Sequence, residues 1–260
     1  MLRIQRLVGA LQGVDLICAS SQRSTTLHCQ TMKPNDKRLW EVMSLSLLLG
    51  LTAAVAALVF LAWLTDEVLE GETRTFDEAT REAVHRLASP YLTTLMKSVS
   101  FCGSAQFLFV ATTIGVFVLI WLGWKREAIL FPITMIGSSI LNTTLKLTFH
   151  RARPVPFFDL IAPKSYSFPS GHALASFCFY GAIAAIVSTR IANRRLRLII
   201  WLIAVVIVLL IGLSRIYLGV HYTTDVLAGY SAALIWVLVV NFVERRLAKR
   251  RERLAKLAQE

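Results

Sequence analysis

Charge is scarce in this chain. Asp, Glu, Lys and Arg make up 17% of its 260 residues, against 55% apolar residues and a mean hydropathy of +0.59. Soluble domains carry about a quarter charged residues, so too little polar surface remains to enclose a large soluble core. Cysteine is sparse as well. Cys18, Cys29, Cys102 and Cys178 show no CxxC spacing, which speaks against a thiolate metal site or a disulfide framework. Acids are the scarcer charge, 16 against 28 Lys and Arg, for a formal net charge of +12. A nucleic-acid partner is the weaker explanation of that excess, and anionic lipid headgroups are the better one.

What the chain has in abundance is long apolar runs. Six are present, at about Val42–Leu64, Ala105–Trp124, Ala128–Leu145, Gly171–Thr189, Leu198–Ser214 and Val226–Val243. About 20 apolar residues, range about 17–25, cross a bilayer core as a helix. Unpaired backbone cannot sit in lipid, so the expected fold is all-α, a polytopic membrane protein with six transmembrane helices.

The positive charges orient it. If six helices alternate, 19 of the 28 Lys and Arg fall on the side that holds residues 1–39, Lys125–Glu127, Arg190–Arg197 and the tail from Glu244. The positive-inside rule places both termini in the cytoplasm. The loop Thr65–Ser104 carries seven acids against four Lys or Arg, as suits an outward segment. Three regions are expected: a disordered cytoplasmic leader over 1–39, a membrane domain over 40–243, and a basic cytoplasmic tail over 244–260. The leader starts basic and modestly apolar, but Gln12 and Asp15 interrupt it and no small-x-small cleavage site follows. Met32 is a plausible alternative start.

Within the outward loop, "TFDEATREAVHRL" places Glu78 three residues after Thr75, the capping-box spacing. Phe76, Ala79, Ala83, Val84 and Leu87 fall on one helical face, and Ser89-Pro90 ends the pattern. This predicts an amphipathic helix at the outer interface, for packing or anchoring, or as a wall of a lipid-access site.

The remaining outward segments hold "KLTFHRARP", "SYSFPSGHA" and "SRIYLGVHYTTD". Lys146 and Arg153 are seven apart, so a helix through both puts them on nearly one face; Pro154 biases Arg153 out of the helix and ends it near there. Alone they are two snorkelling cations at a helix end. In "PSGH", Ser170 stands at an N-cap position, Gly171 lets backbone approach a ligand, and the new helix N-terminus is an anion site with His172 in its first turn. Alone this is an ordinary cap. In the third segment Arg215 ends a span, and His221 and Asp225 are four apart, so the carboxylate can hold one imidazole nitrogen and leave the other nucleophilic. Convergence on one face outweighs the separate bland explanations. Three cations, a helix N-terminus, an oriented histidine and a second histidine suit phosphoryl transfer, and Lys146, Arg153 and Arg215 can compensate a phosphate dianion with no metal or other cofactor.

These segments resemble the three-part motif of the type 2 phosphatidic acid phosphatase (PAP2) superfamily: K-x6-RP, then PSGH, then SR-x5-H-x3-D. Every defining position matches, over a body spanning about residues 40–243. The resemblance implies an integral membrane lipid phosphatase, with glucose-6-phosphatase and vanadium haloperoxidases among its relatives. It implies that His221 attacks phosphorus to form a phosphohistidine, that Asp225 orients it, and that His172 protonates the leaving oxygen and later helps activate water. Lys146, Arg153, Arg215, Ser170 and Gly171 would bind the phosphate, with Ser214 supporting Arg215. His150, Arg151, Asp159, Lys164 and Tyr166 lie nearby and match no defining position; they tune substrate choice or face water. Asn142 is expected to hydrogen-bond between helices.

The expected substrate is phosphatidic acid, phosphatidylglycerol phosphate or a polyprenyl diphosphate, met at the outer face of what would be the inner membrane in a bacterium. The alternative is a protein that binds or transports lipid phosphate without turnover. Transport sites lie near the bilayer midplane, whereas these charges sit at helix ends. Vanadate-dependent oxidation is a third possibility, but the soluble relatives that perform it lack a six-span body.

Overall fold

The computed structural model describes residues 34–158 and 164–258. Among the described residues there are eight helices and no strand. They are α1 (Pro34–Glu70), α2 (Arg74–His85), α3 (Pro90–Phe101), α4 (Ala105–Trp121), α5 (Lys125–Phe149), α6 (Gly171–Ser188), α7 (Arg194–Tyr217) and α8 (Thr223–Leu257). The expectations for the leader, Met32, Cys18, Cys29 and Asp159 lie outside the described residues, except that residues 34–39 belong to the first turns of α1. The site and its supports fall within the unit Ser46–Glu260.

Among the described residues five helices are long and apolar enough to cross a membrane: the part Leu48–Glu70 of α1, and α5, α6, α7 and α8. Helix α4 has only 17 residues, short of the expected separate span, and is a sixth candidate span only together with α3 across a 48° bend. Large apolar side chains face outward along these helices. On α4, Phe109, Phe117 and Trp121 are 68–84% exposed, a distribution that water would penalise and lipid does not.

Helix α6 is the hub, packed on α4, α5, α7 and α8. Its buried residues, among them Ala173, Leu174, Ser176 and Cys178, are mostly small, which lets neighbouring backbones come close. Gly229 of α8 is one place where α8 approaches the α6 backbone closely. A Cβ there would stand 2.7 Å from the Ser170 carbonyl oxygen and 3.0 Å from Ala173 Cβ, so backbone rather than a mobile side chain would have to move.

Two expectations for the outward loop are corrected. The N-cap of α2 is Thr73, with no side-chain cap bond, so Thr75 and Glu78 form no capping box there. Pro90 does not end that helix; it occupies the first position of α3, whose Ser89 N-cap accepts from the Leu92 N–H. The faces of α2 are also inverted relative to a core-facing helix. Phe76, Ala79, Ala83 and Leu87 are exposed, while Asp77 and Arg81 are buried and only Val84 of the apolar set packs inward. At an interface the bilayer takes the apolar face, which leaves the polar face for the protein.

Replacing Gly229 by Leu overpacks this crossing, at a cost of about 1–3 kcal/mol or more. The expected result is a lower unfolding temperature of the protein in detergent, measured by differential scanning fluorimetry, and an unchanged temperature would show that α6 and α8 are not held this close.

Candidate functional site

The motif residues meet at one end of the bundle. Lys146 lies in the last turn of α5, Arg153 in the extended segment after it, Gly171 and His172 at the start of α6, Arg215 in the last turn of α7, and His221 between α7 and α8. All six line one cavity of about 910 Å³. Asp225, in the first turn of α8, is fully buried beside them.

Local backbone explains why they converge. His150 takes a left-handed conformation (φ 48°) and closes α5 with its N–H donating to the Lys146 carbonyl, a common helix stop. The helix therefore ends before Arg153, earlier than the spacing suggested. Arg153 reaches the site from extended chain, where Pro154 favours that conformation. His221 likewise precedes α8 rather than standing one helical turn from Asp225. The carboxylate reaches back from the first turn of α8, accepting the Tyr222 N–H at 2.9 Å and His221 Nδ1 at 3.3 Å.

The other nitrogen of His221 is the informative one. Arg153 Nη1 lies 3.0 Å from His221 Nε2, and a guanidinium can only donate. Nε2 must therefore present its lone pair, and the ring proton sits on Nδ1 facing Asp225. Ser167 Oγ supports the same carboxylate oxygen at 2.5 Å. Burial pushes the His221 imidazole down to about 4; Asp225 opposes the shift, and Arg153 and Arg215 add to it. The ring is thus neutral, with a free lone pair, at neutral pH.

The three cavity cations rest on neutral acceptors. Lys146 Nζ donates to the carbonyls of Tyr166 (2.5 Å) and Ser167 (3.3 Å). Arg153 donates to the Ser165 carbonyl (2.7 Å) and hydroxyl (3.1 Å) and to the Val220 carbonyl (2.9 Å). Arg215 donates to Ser100 Oγ. Among the described residues none of the three forms an ion pair with a carboxylate. Their charge is left to act on the cavity, in surroundings of low dielectric where it is strong.

Several sequence expectations change. Ser214 does not support Arg215; its hydroxyl donates to the Ile211 carbonyl of its own helix at 2.6 Å, and Ser100 holds the guanidinium instead. Ser170 is the N-cap of α6, but it is fully buried, is not among the residues lining the cavity, and its hydroxyl has no partner. Asn142 makes no helix–helix hydrogen bond through its Oδ1, which is buried and unpaired; the residue lines the cavity one turn below Lys146, beside Gly171. Arg151 does not line this cavity, and only a small part of its side chain reaches the surface. It bridges Asp225 (2.6 Å) and Asp77 (2.8 Å). Lys164 and His150 are exposed, and Tyr166 contributes its carbonyl. Asp77, Ser100, Ser165, Ser167 and Thr224 escaped the sequence reading, since single hydroxyls and one acid in a charged helix carry no periodic signal. For Arg151 the only hint was its place inside "HRARP".

The cavity also extends along the bundle. Its walls run from the cations down between α4 and α5, through Leu108, Thr112, Val116, Met135, Ser139 and others to Phe117 and Pro132. Pro132 is fourteen residues from Lys146 on α5, which is about 20 Å along the helix axis. A charged head and a mostly apolar trough of that length fit an amphiphile with an anionic group.

In histidine-labelled protein in detergent, NMR should show the His221 ring titrating well below the ordinary value of about 6.5, with Nδ1 protonated in the neutral form. A midpoint at or above that value, or a proton on Nε2, would contradict the burial and the Arg153 contact.

Comparisons with known proteins point to one family. A family model described as the PAP2 superfamily matches residues 127–248. The chain is 28% identical over 200 residues to phosphatidylglycerophosphatase B of Bacillus subtilis, covering 76% of this chain and 98% of that protein. It is 29% identical over 118 residues to an undecaprenyl-diphosphatase of Sulfolobus acidocaldarius, covering 44% and 53% of the two chains. A crystal structure of a transmembrane PAP2 type phosphatidylglycerolphosphate phosphatase from Bacillus subtilis superposes with a TM-score of 0.68 at 30% identity, covering 74% of this chain and 96% of that one.

Proposed function

Because the chain belongs to the PAP2 superfamily, we propose that it is an integral membrane phosphatase that hydrolyses a lipid phosphate or diphosphate at the outer face of the membrane through a phosphohistidine. The observation that carries this is the lone pair of His221 Nε2 placed among three cations that, among the described residues, pair with no carboxylate. The phosphate binds Lys146, Arg153, Arg215 and the Gly171 N–H at the start of α6. Arg153 then turns its donors from Nε2 to phosphate oxygens, which frees the nucleophile. His221 attacks phosphorus, the bond from phosphorus to the leaving oxygen breaks, and the cations carry the charge that spreads over the equatorial oxygens.

Asp225 stabilises the ring as Nε2 takes on the phosphoryl group and the imidazole becomes cationic. His172 gives its proton to the leaving alkoxide, or to the lipid monophosphate when the substrate is a diphosphate. Water then attacks the phosphohistidine while His172 accepts its proton. Inorganic phosphate leaves, and the enzyme returns to its starting state. The trough between α4 and α5 receives the lipid tail, so the headgroup meets the site without leaving the bilayer. The charge distribution supports a site at the outer face with both termini in the cytoplasm, in the cytoplasmic membrane of a bacterium.

Purified protein should release inorganic phosphate from at least one of phosphatidic acid, phosphatidylglycerol phosphate and undecaprenyl diphosphate, with EDTA leaving the rate unchanged. Release from none of them would sink the enzymatic reading, and loss of rate with EDTA would sink the metal-independent mechanism. His221→Ala should lower turnover by about a thousandfold or more and abolish the acid-labile phosphoenzyme.

The trough gives a separate test. Ser139→Trp should cost about tenfold or more in kcat/KM, near 1.4 kcal/mol, for a long-chain lipid phosphate and little for a short-chain one. Equal losses for both would place the tail elsewhere.

A further inference from the structure

Asp77 stands on α2, outside all three motifs, and has no solvent exposure. Its Oδ2 accepts Arg151 Nη2 at 2.8 Å and the Thr224 hydroxyl at 2.7 Å, and its Oδ1 accepts the Thr224 N–H at 3.0 Å. Arg151 Nη1 continues to Asp225 Oδ1 at 2.6 Å and to Thr224 Oγ1 at 2.8 Å. The Tyr222 ring covers the guanidinium, 4.3 Å from ring centroid to Cζ. One guanidinium therefore bridges two buried carboxylates, and the far oxygen of the second holds the nucleophile.

Arg151 needs only one carboxylate for its charge, and Asp225 supplies it. A second buried acid is expensive unless it is fully bonded. What Asp77 adds is direction: it holds the other arm of a planar fork whose geometry is rigid. With both arms fixed, Arg151 cannot swing, and Oδ1 of Asp225 is held in one place. Rotation of Asp225 would move Oδ2 and with it His221 Nε2, and small displacements of a nucleophile are costly.

We propose that Asp77 is a positioning residue of this site, acting through Arg151 and Thr224 to set the orientation of Asp225 and hence of His221, so that the interfacial helix α2 supports catalysis rather than only anchoring the chain. The proposal builds on the phosphatase reading above. A structural tie between α2 and α8 is the competing role, and it predicts loss of stability without a specific effect on chemistry.

The test uses the full-length protein in detergent. Asp77→Asn should lower kcat about tenfold or more with KM within about twofold, because the phosphate-binding cations are untouched. The double variant Asp77→Asn, Arg151→Gln should be no slower than Arg151→Gln alone, since Asp77 acts through that arginine. Folded Asp77→Asn protein with wild-type kcat, an effect confined to KM, or losses that multiply in the double variant would each overturn the proposal. If Asp77→Asn does not fold, Thr224→Val, which keeps the shape and removes the shared hydroxyl, is measured against the same expectations. A readout free of turnover is the His221 Nδ1–H proton resonance, assigned by its loss in His221→Ala. It should stand downfield in the wild type and shift upfield or broaden in Asp77→Asn or Thr224→Val; an unchanged resonance would overturn the proposal. Wild-type protein that releases no phosphate from any lipid would fail the phosphatase reading, while this resonance would still decide the role of Asp77.

Discussion

Asp225 has no access to solvent, and the outer end of the bundle is organised around satisfying it. Its carboxylate accepts from Arg151, Ser167, His221 and the Tyr222 N–H, and its backbone carbonyl accepts from the Ser170 N–H at 2.9 Å. Those donors come from three stretches, the chain after α5, the turn before α6 and the link after α7, and Asp225 itself stands at the start of α8. A buried anion that loses a donor is left with a large uncompensated cost. The four segments are therefore held in one arrangement, and the helices behind them inherit it.

Charge is partitioned within a few ångströms. Arg151 is the cation spent on structure, clamped between Asp77 and Asp225. Lys146, Arg153 and Arg215 lean on carbonyls and hydroxyls, which hold their positions without cancelling their charge. Had any of these three been paired with a carboxylate, an incoming phosphate would first have to displace it. Neutral supports keep the cavity positive and preorganised, the condition under which electrostatic stabilisation of phosphoryl transfer is strong.

The membrane changes how amphipathic patterns are read. In α2 the apolar face that looked like a packing surface is turned outward, and the polar face carries Asp77 and Arg81 inward. The same logic applies to the trough between α4 and α5: apolar walls that would collapse in water can face lipid tails. The short helix α3 entered the fold unannounced because "PYLTTLMKSVSF" has weak periodicity and abuts an apolar run, so its bend from α4 at Gly103 is set by packing. A Cβ on Gly103 would meet Ile211 at the side of α7.

By itself the sequence determined the all-helical membrane class, the apolar runs that seed the candidate spans and the motif residues Lys146, Arg153, Gly171, His172, Arg215, His221 and Asp225. Apolar length and motif spacing are local properties, and each can be read along the chain. Only the tertiary structure decided the tautomer of His221, the separation of one structural arginine from the three cations that line the cavity, the burial of Ser170, and the part played by Asp77, Ser100, Ser167 and Thr224. These depend on hydrogen bonds that span up to 147 positions of sequence, where a single Asp or Ser has no pattern to announce it and only the packed helices bring its partner within reach.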